Sequence, residues 1–267
     1  MGTNSRRRKE RMKARDEHAK KYPLFGKYKF VPYKQVTHDL QSVHEWFADV
    51  LLSRFDSMAD DRAVAVIGTV LRWYQEYDTM AAKEPSHIDF RRAGKTVHLP
   101  LACAPGCNHC CVTPVSVIGP EAVLISEYIK ARFTDDEITA LVARIYAREA
   151  AVDGRQDTTY MCPLNVGGKC TVYDVRPFNC RKFHSFDEAV CRQAFLEGKI
   201  VMLPRSPVRD DDRGIFWGTV SGVLRALDFD TGDVDFIPAL MIALKTRQPA
   251  KRLAAGEALF TAVRWQQ

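Results

Sequence analysis

The chain has 267 residues, 46% of them hydrophobic, and a formal net charge of +6, enough apolar content to build a core in one large domain or two modest ones. No stretch reaches the roughly 20 apolar residues that span a bilayer, because the greasiest, 215–229, is broken by Arg225 and Asp228; a soluble protein with no membrane contact is expected. The charge is local: residues 6–21 hold nine Lys or Arg against Glu10, Asp16 and Glu17, a net of +6, and the remainder is neutral.

Residues 1–36 read as a basic N-terminal arm and loop. The leader carries positive charge without an apolar run or cleavage signal, so a cytoplasmic, thiol-reducing location is expected. Residues 6–21 could make weak phosphate contacts with nucleic acid, but they lack the interleaved aromatic residues on which bases stack. Residues 37–90 read as a helical pair. Leu40, Val43, Phe47, Val50 and Leu51 share one face, with Ser42 and Glu45 spaced as a capping box. A second helix, from Asp61 to about Met80, repeats the pattern with Ile67, Val70, Leu71 and Tyr74, and Pro85 sets its latest end.

Residues 91–198 read as a cysteine-cluster domain. Lys95 to Leu99 runs extended through Pro100 into Cys103-x3-Cys107-x2-Cys110-Cys111, where Pro105 and Gly106 supply the tight turns of a chelating loop. Val112 to Ile118 is extended, and Gly119-Pro120-Glu121 opens a helix carrying Ile125, Tyr128 and Ile129, with Glu121 complementing the dipole. Thr134 and Glu137 form a second capping box before Ile138, Leu141, Val142, Ile145 and Tyr146, an unbroken helical face. This helical hairpin occupies most of the 50 residues between Cys111 and Cys162, and folding it back brings the two cysteine blocks together.

The second block is Cys162-x7-Cys170-x9-Cys180, with Gly167-Gly168 as a tight turn and Thr171 to Tyr173 as a short strand. Ser185 and Glu188 are spaced to cap a helix holding Cys191. Residues 199–267 read as helical segments packed on the same core, through Phe216, Val220, Val223, Leu224 and Leu227, then Phe236, Ile237, Leu240, Met241 and Leu244, then Leu259, Phe260 and Val263. Neither a dinucleotide fingerprint nor a phosphate loop nor a long repeat is present. The expected fold class is mainly α: a helical domain with irregular cysteine-rich metal-binding loops and a few short strands.

Eight cysteines could in principle form a disulfide framework, but such frameworks belong to short secreted chains that lack a core. Thiolates converging from tight loops are the pattern of metal chelation. The expected ligands are Cys103, Cys107, Cys110, Cys111, Cys162, Cys170, Cys180 and Cys191, holding zinc or iron, the latter as an iron–sulfur cluster, in one or two centres. Adjacent side chains diverge, so Cys110 and Cys111 suit two metals or a multinuclear cluster better than a single tetrahedral zinc. His109 and His184 lie inside the blocks, where a histidine more often orients a ligand than serves as one. Arg176 and Arg181 flank Cys180, either donating hydrogen bonds to sulfur or pairing with Asp174 or Glu188. Tyr173 and Phe183 read as core, and Asp210-Asp211-Asp212 and Asp228-x-Asp230 as caps or turns rather than a magnesium site.

The cysteine cluster, the helix opened by Pro120-Glu121, and then Cys162-Pro-Leu, Cys170-x-Val-Tyr and Arg176-Pro-x-x-Cys180-Arg-x-Phe together resemble the YkgJ-type CxxCxxCC family of zinc- or iron-chelating proteins. The match covers about residues 100–195. The resemblance implies a zinc or iron centre, and the family's relatives include flagellin lysine N-methylase, which it associates with an iron–sulfur centre. This chain departs from the family by placing three residues between Cys103 and Cys107. That departure matches the Cys-x3-Cys-x2-Cys spacing of radical S-adenosylmethionine (SAM) enzymes, which usually carry an aromatic residue where His109 stands and continue into βα-barrel strands.

Two functions compete. One is a metal-binding protein in which the thiolates organise a helical domain, with a partner held by the helices or by the basic arm. The other is an iron–sulfur enzyme, redox or SAM-dependent in protein methyl transfer, with an accessible cluster. No acid–base or nucleophilic constellation stands outside the cysteine blocks, and the protein partner or substrate is not named by the sequence.

Overall fold

The computed structural model describes residues 41–84, 86–152, 160–197 and 201–265, with side chains left aside at 41, 42, 92, 152 and 207–213. The basic segment 6–21 and the Ser42 cap lie outside the described residues. The fold is mainly α, with a few short strands.

Helix α1 (Gln41–Asp56) packs on α2 (Arg62–Ala81), the central helix, which also contacts α3 (Gly119–Arg132), α7 (Pro207–Ala226) and α9 (Pro249–Ala254). The α2 N-terminus is capped by Asp61 Oδ1, which accepts from the N–H groups of Ala63 and Val64 at 2.9 and 3.2 Å. With neighbours on several sides, its buried face is wider than the periodicity implied. Val70 and Tyr74 are buried as expected, but Ala63, Val66, Trp73 and Tyr77 join them while Ile67 and Leu71 stay half-buried.

Strands β1 (His87–Arg92) and β2 (Lys95–Pro100) form an antiparallel hairpin; only its second strand was expected. Ala93 and Gly94 both take left-handed φ, 49° and 78°, the mirror-image turn whose twist matches paired strands. Strand β3 (Ser116–Ile118) pairs antiparallel with β6 (Asp233–Asp235), Val117 opposite Val234, which ties the loop after the first cysteine block to the C-terminal helices. Helix α4 (Asp135–Val152) opens on the anticipated reciprocal cap. Glu137 N–H donates to Thr134 Oγ1 at 3.3 Å, and Thr134 N–H to Glu137 Oε2 at 2.8 Å. Leu141 and Ile145 are buried, whereas Tyr146 is exposed.

Strands β4 (Asn165–Val166) and β5 (Lys169–Cys170) close around Gly167 and Gly168, at φ 58° and 82°. Two successive left-handed residues force an immediate reversal, so the strand begins at Lys169, earlier than expected, and the chain enters a 3-10 turn at Tyr173–Val175 where the strand was expected to run over 171–173. The short helix α5 (Phe178–Lys182) follows. Helix α6 (Glu188–Phe195) is capped two residues later than its spacing suggested, by Asp187 Oδ1 accepting from Val190 N–H at 3.1 Å. Ser185 bonds locally to Asp187 instead. Helices α7, α8 (Phe236–Lys245) and α9 complete one continuous hydrophobic cluster running from Phe47 to Phe260. Among the described residues no helix is long and apolar enough to cross a membrane.

Candidate metal centre

The first cysteine block is a loop turning at Gly106, φ 93°, followed by one 3-10 turn, His109–Val112. Three residues per turn set neighbouring side chains about 120° apart, yet the Cys110 and Cys111 thiols still meet in a hydrogen bond. The second block meets it through the main chain, since Cys162 N–H donates to the Cys111 carbonyl at 2.8 Å. Cys170 ends β5, and Cys180 lies in α5, anchored from below by the core. Phe178, which opens α5, packs on Trp73 at 4.4 Å and on Tyr77 at 4.8 Å between ring centroids.

Glu121 completes that anchorage. It lies in the first turn of α3, where its charge complements the dipole as anticipated, and it is fully buried. Its Oε1 accepts from Tyr74 OH at 2.6 Å and from Phe178 N–H at 2.7 Å, and its Oε2 accepts from Ile118 N–H at 3.0 Å. Burial raises its carboxyl pKa while these three donors pull the other way.

Cys107, Cys110, Cys111, Cys162, Cys170 and Cys180 all line one cavity of about 910 Å³, open mouth included. Its remaining wall is largely apolar and aromatic, with Leu164, Val172, Tyr160, Tyr173 and Phe236. Burial pushes the Cys162 thiol up to about 12 and raises Cys170 and Cys180 as well. The hydrogen bond between Cys110 and Cys111 raises the first thiol and lowers the second. Buried thiols this reluctant to ionise need a cation to become thiolates, which is what a metal supplies.

Arg176 lies along the same wall, its guanidinium stacked 3.8 Å from the Tyr173 ring centroid, and its charge favours the thiolates of Cys111, Cys170 and Cys180. Its buried Nε has no acceptor among the described residues, and the Asn165 side chain hydrogen-bonds to Cys111, which lowers that thiol. Arg181 does not pair with the carboxylate of Asp174 or with Glu188. It forms an ion pair with Asp78, donates to the carbonyl of Arg176 at 3.0 Å and to that of Asp174, and covers the Tyr74 ring at 4.3 Å.

The other cysteines gather at the start of α6. Ser185 N–H donates to Cys103 Sγ at 3.3 Å, and the Ser185 side chain bonds to Cys191. Burial raises the Cys191 thiol, which also feels Cys107. His109 Nε2 reaches Glu188 Oε1 at 3.1 Å, while its buried Nδ1 has no partner among the described residues. His184 is structural: Nε2 accepts from Ser206 N–H at 3.0 Å and Nδ1 faces the Lys182 carbonyl at 3.1 Å, leaving neither nitrogen for a metal. Tyr173 is not core but 46% exposed, because its ring serves as the platform for Arg176. Phe183 is half-buried against Phe195, 5.4 Å away. Asp228, φ 63°, and Asp230, whose Oδ1 accepts from Gly232 N–H at 2.9 Å, form a turn as anticipated. The side chains of Asp210, Asp211 and Asp212 lie outside the described residues.

All eight thiols are free. Among the described residues no three His, Cys, Asp or Glu side chains are drawn close enough to hold an ion, so the arrangement is a convergence of thiols rather than a finished coordination sphere. Its chemistry nonetheless fits a thiophilic metal, with sulfur as the dominant donor and, on the same wall, the buried Nε of Arg176, which has no acceptor among the described residues. Asn165, Tyr160 and Phe236 were not foreseen at the site. Only Asn165, between Cys162 and the Gly167-Gly168 turn, carried a positional hint. Comparison with protein-family models, curated proteins and solved structures finds no match for this chain.

Proposed function

We propose that this chain is a cysteine-ligated metal protein that holds zinc or an iron–sulfur cluster through its two cysteine blocks. The observation that carries this reading is the shared cavity, which six thiols line from blocks 50 residues apart. The resemblance to the YkgJ-type family agrees with it, since that family is described as chelating zinc or iron. The Nε of Arg176, without an acceptor among the described residues, and the Asn165 side chain, bonded to Cys111, suit sulfur acceptors, whether thiolates or cluster sulfides. A reducing, cytoplasmic setting would keep such thiols available.

A second reading, an iron–sulfur enzyme of redox or SAM-dependent type, draws on the wall beyond the thiols. There Tyr160, Tyr173, Phe236 and Ile237 extend the cavity past the cysteines, leaving space for a substrate beside the centre. Anaerobic purification with metal analysis, sulfide assay and a visible spectrum tests both. Iron with acid-labile sulfide and broad visible absorption supports a cluster and keeps the enzyme reading. A colourless protein with stoichiometric zinc removes the enzyme reading, and a protein that retains and takes up neither metal overturns the proposal.

A further inference from the structure

A second cavity, of about 650 Å³ with its open mouth, shares Cys110, Thr113, Val115 and Cys180 with the thiol cavity, so these four residues stand between the two spaces. The rest of its wall comes from three distant parts of the chain. Ser116 opens β3, Asn179 and Lys182 lie on α5 with Phe183 directly after it, and Trp265 arrives from the C-terminal segment. Main-chain contacts hold that segment in place: Arg264 bridges antiparallel to Val234 of β6, and Trp265 N–H donates to the Asp233 carbonyl at 3.0 Å. Two half-buried rings, Phe183 and Trp265, thus meet in one wall.

The charge in this wall has one sign. Lys182 is its basic side chain, and no Asp or Glu stands among its described lining residues. Lys182 Nζ lies 5.9 Å from the ring centroids of Phe178 and of Trp217, and the Arg205 guanidinium lies 5.8 Å from that of Phe183, so a second cation backs the wall. Asp233 feels the Lys182 charge from outside the lining. Ser116 Oγ accepts from Asn179 Nδ2 at 3.1 Å, which leaves its own proton for another acceptor. Aromatic walls take a flat ring, and an ammonium group takes a negative one. We propose that this second cavity binds a planar aromatic anion, a flat ring bearing a carboxylate, sulfonate or phosphate, with the ring against Trp265 and Phe183 and the anionic group at Lys182. Its volume suits a small organic molecule. Such a ligand would lie against Cys110 and Cys180 from the side that Arg176 does not line. Lys182, Phe183 and Trp265 are not candidate metal ligands, so the proposal goes beyond the metal-binding reading, and its failure leaves that reading standing.

The test is a fluorescence titration of the full chain, as isolated, with 8-anilinonaphthalene-1-sulfonate, a flat aromatic anion whose emission rises in an apolar site. Its uncharged counterpart N-phenyl-1-naphthylamine is titrated beside it, and circular dichroism checks that each variant folds. The anion is expected to bind saturably. Lys182→Gln is expected to weaken it by about tenfold, as loss of a charged partner does, and to leave the uncharged compound unmoved. Trp265→Ala is expected to weaken both compounds, and Trp265→Phe, which keeps a ring, to restore them. Anion binding that Lys182→Gln leaves unchanged overturns the proposal, whether or not Arg176→Met in the thiol cavity weakens it, because the probe then sits elsewhere. Absence of saturable binding overturns it too, as does binding that Trp265→Ala leaves unchanged. Equal weakening of both compounds by Lys182→Gln also overturns it, since the lysine would then be packing rather than pairing. Should Trp265→Ala fail to fold, Lys182→Gln alone decides.

Discussion

The backbone N–H of Cys162 donates to the carbonyl of Cys111 at 2.8 Å, so the two cysteine blocks are joined by main chain before any metal is considered. The first block therefore keeps its place relative to the second in the metal-free protein, and metal uptake would tighten an existing arrangement. Cys180→Ser is accordingly expected to weaken metal binding while leaving a folded protein, because Phe178, Tyr74 and Glu121 hold α5 independently of sulfur. Circular dichroism and metal analysis of the variant check this, and complete unfolding would show that the metal and not the core builds this region.

Glu121 is the polar joint of that core. Glu121→Ala leaves the Tyr74 hydroxyl and the N–H groups of Phe178 and Ile118 buried without an acceptor. At about 1–3 kcal/mol for each orphaned group, the expected loss is about 3 kcal/mol or more. Glu121→Gln, which keeps an acceptor oxygen, is expected to lose less. Urea denaturation of the two variants measures the difference; equal losses would mean that volume rather than hydrogen bonding sets the cost.

Periodicity and capping were legible wherever the local rule and the tertiary need agreed, as in the Thr134–Glu137 cap and the Leu141 and Ile145 face. They failed where packing intervened. The buried face of α2 extends to Trp73 and Tyr77 because α2 is surrounded, which no single-helix pattern reports. The α6 cap moved from Ser185 to Asp187 because Ser185 lies against the Cys103 and Cys191 thiols, a contact between residues 82 apart in sequence. The cysteine blocks pointed to a shared cavity, but its aromatic wall depends on which face each short turn presents, and spacing alone does not encode that.

His44 gives the fold a pH dependence remote from the cysteines. It is buried in α1 with Nδ1 2.6 Å from Thr219 Oγ1. Thr219 spends its own proton on the Ile215 carbonyl at 2.7 Å, so His44 Nδ1 is the donor. Desolvation lowers the His44 pKa below 6.5, against an opposing push from Glu45. Below pH 6.5 the unfolded chain binds a proton that the folded state resists, so this contribution is full above that pH and is lost as pH falls through the unfolded pKa towards the folded one. The slope is at most about 1.4 kcal/mol per pH unit. The stability difference between wild type and His44→Gln, measured by denaturation from pH 8 to 5, is expected to shrink on acidification. A constant difference would remove His44 as the source.

Arg176 is expected to govern thiol reactivity in the metal-free protein. The Cys111 pKa is lowered first by its hydrogen bond from Cys110, then, against burial, by Asn165 and by the charge of Arg176. Removing that charge in Arg176→Met reduces the thiolate fraction, and because the thiolate is the nucleophile, alkylation of Cys111 by iodoacetamide near neutral pH should slow by up to about tenfold. Arg176→Lys keeps a charge but loses the planar stack on Tyr173, and it should fall between. Peptide mapping by mass spectrometry reads each cysteine separately, with exposed Cys107 as the internal standard. Slowing confined to Cys111, Cys170 and Cys180 would identify Arg176 as the charge that prepares these thiols to bind a cation, whereas uniform slowing or none would assign it a packing role on Tyr173 alone.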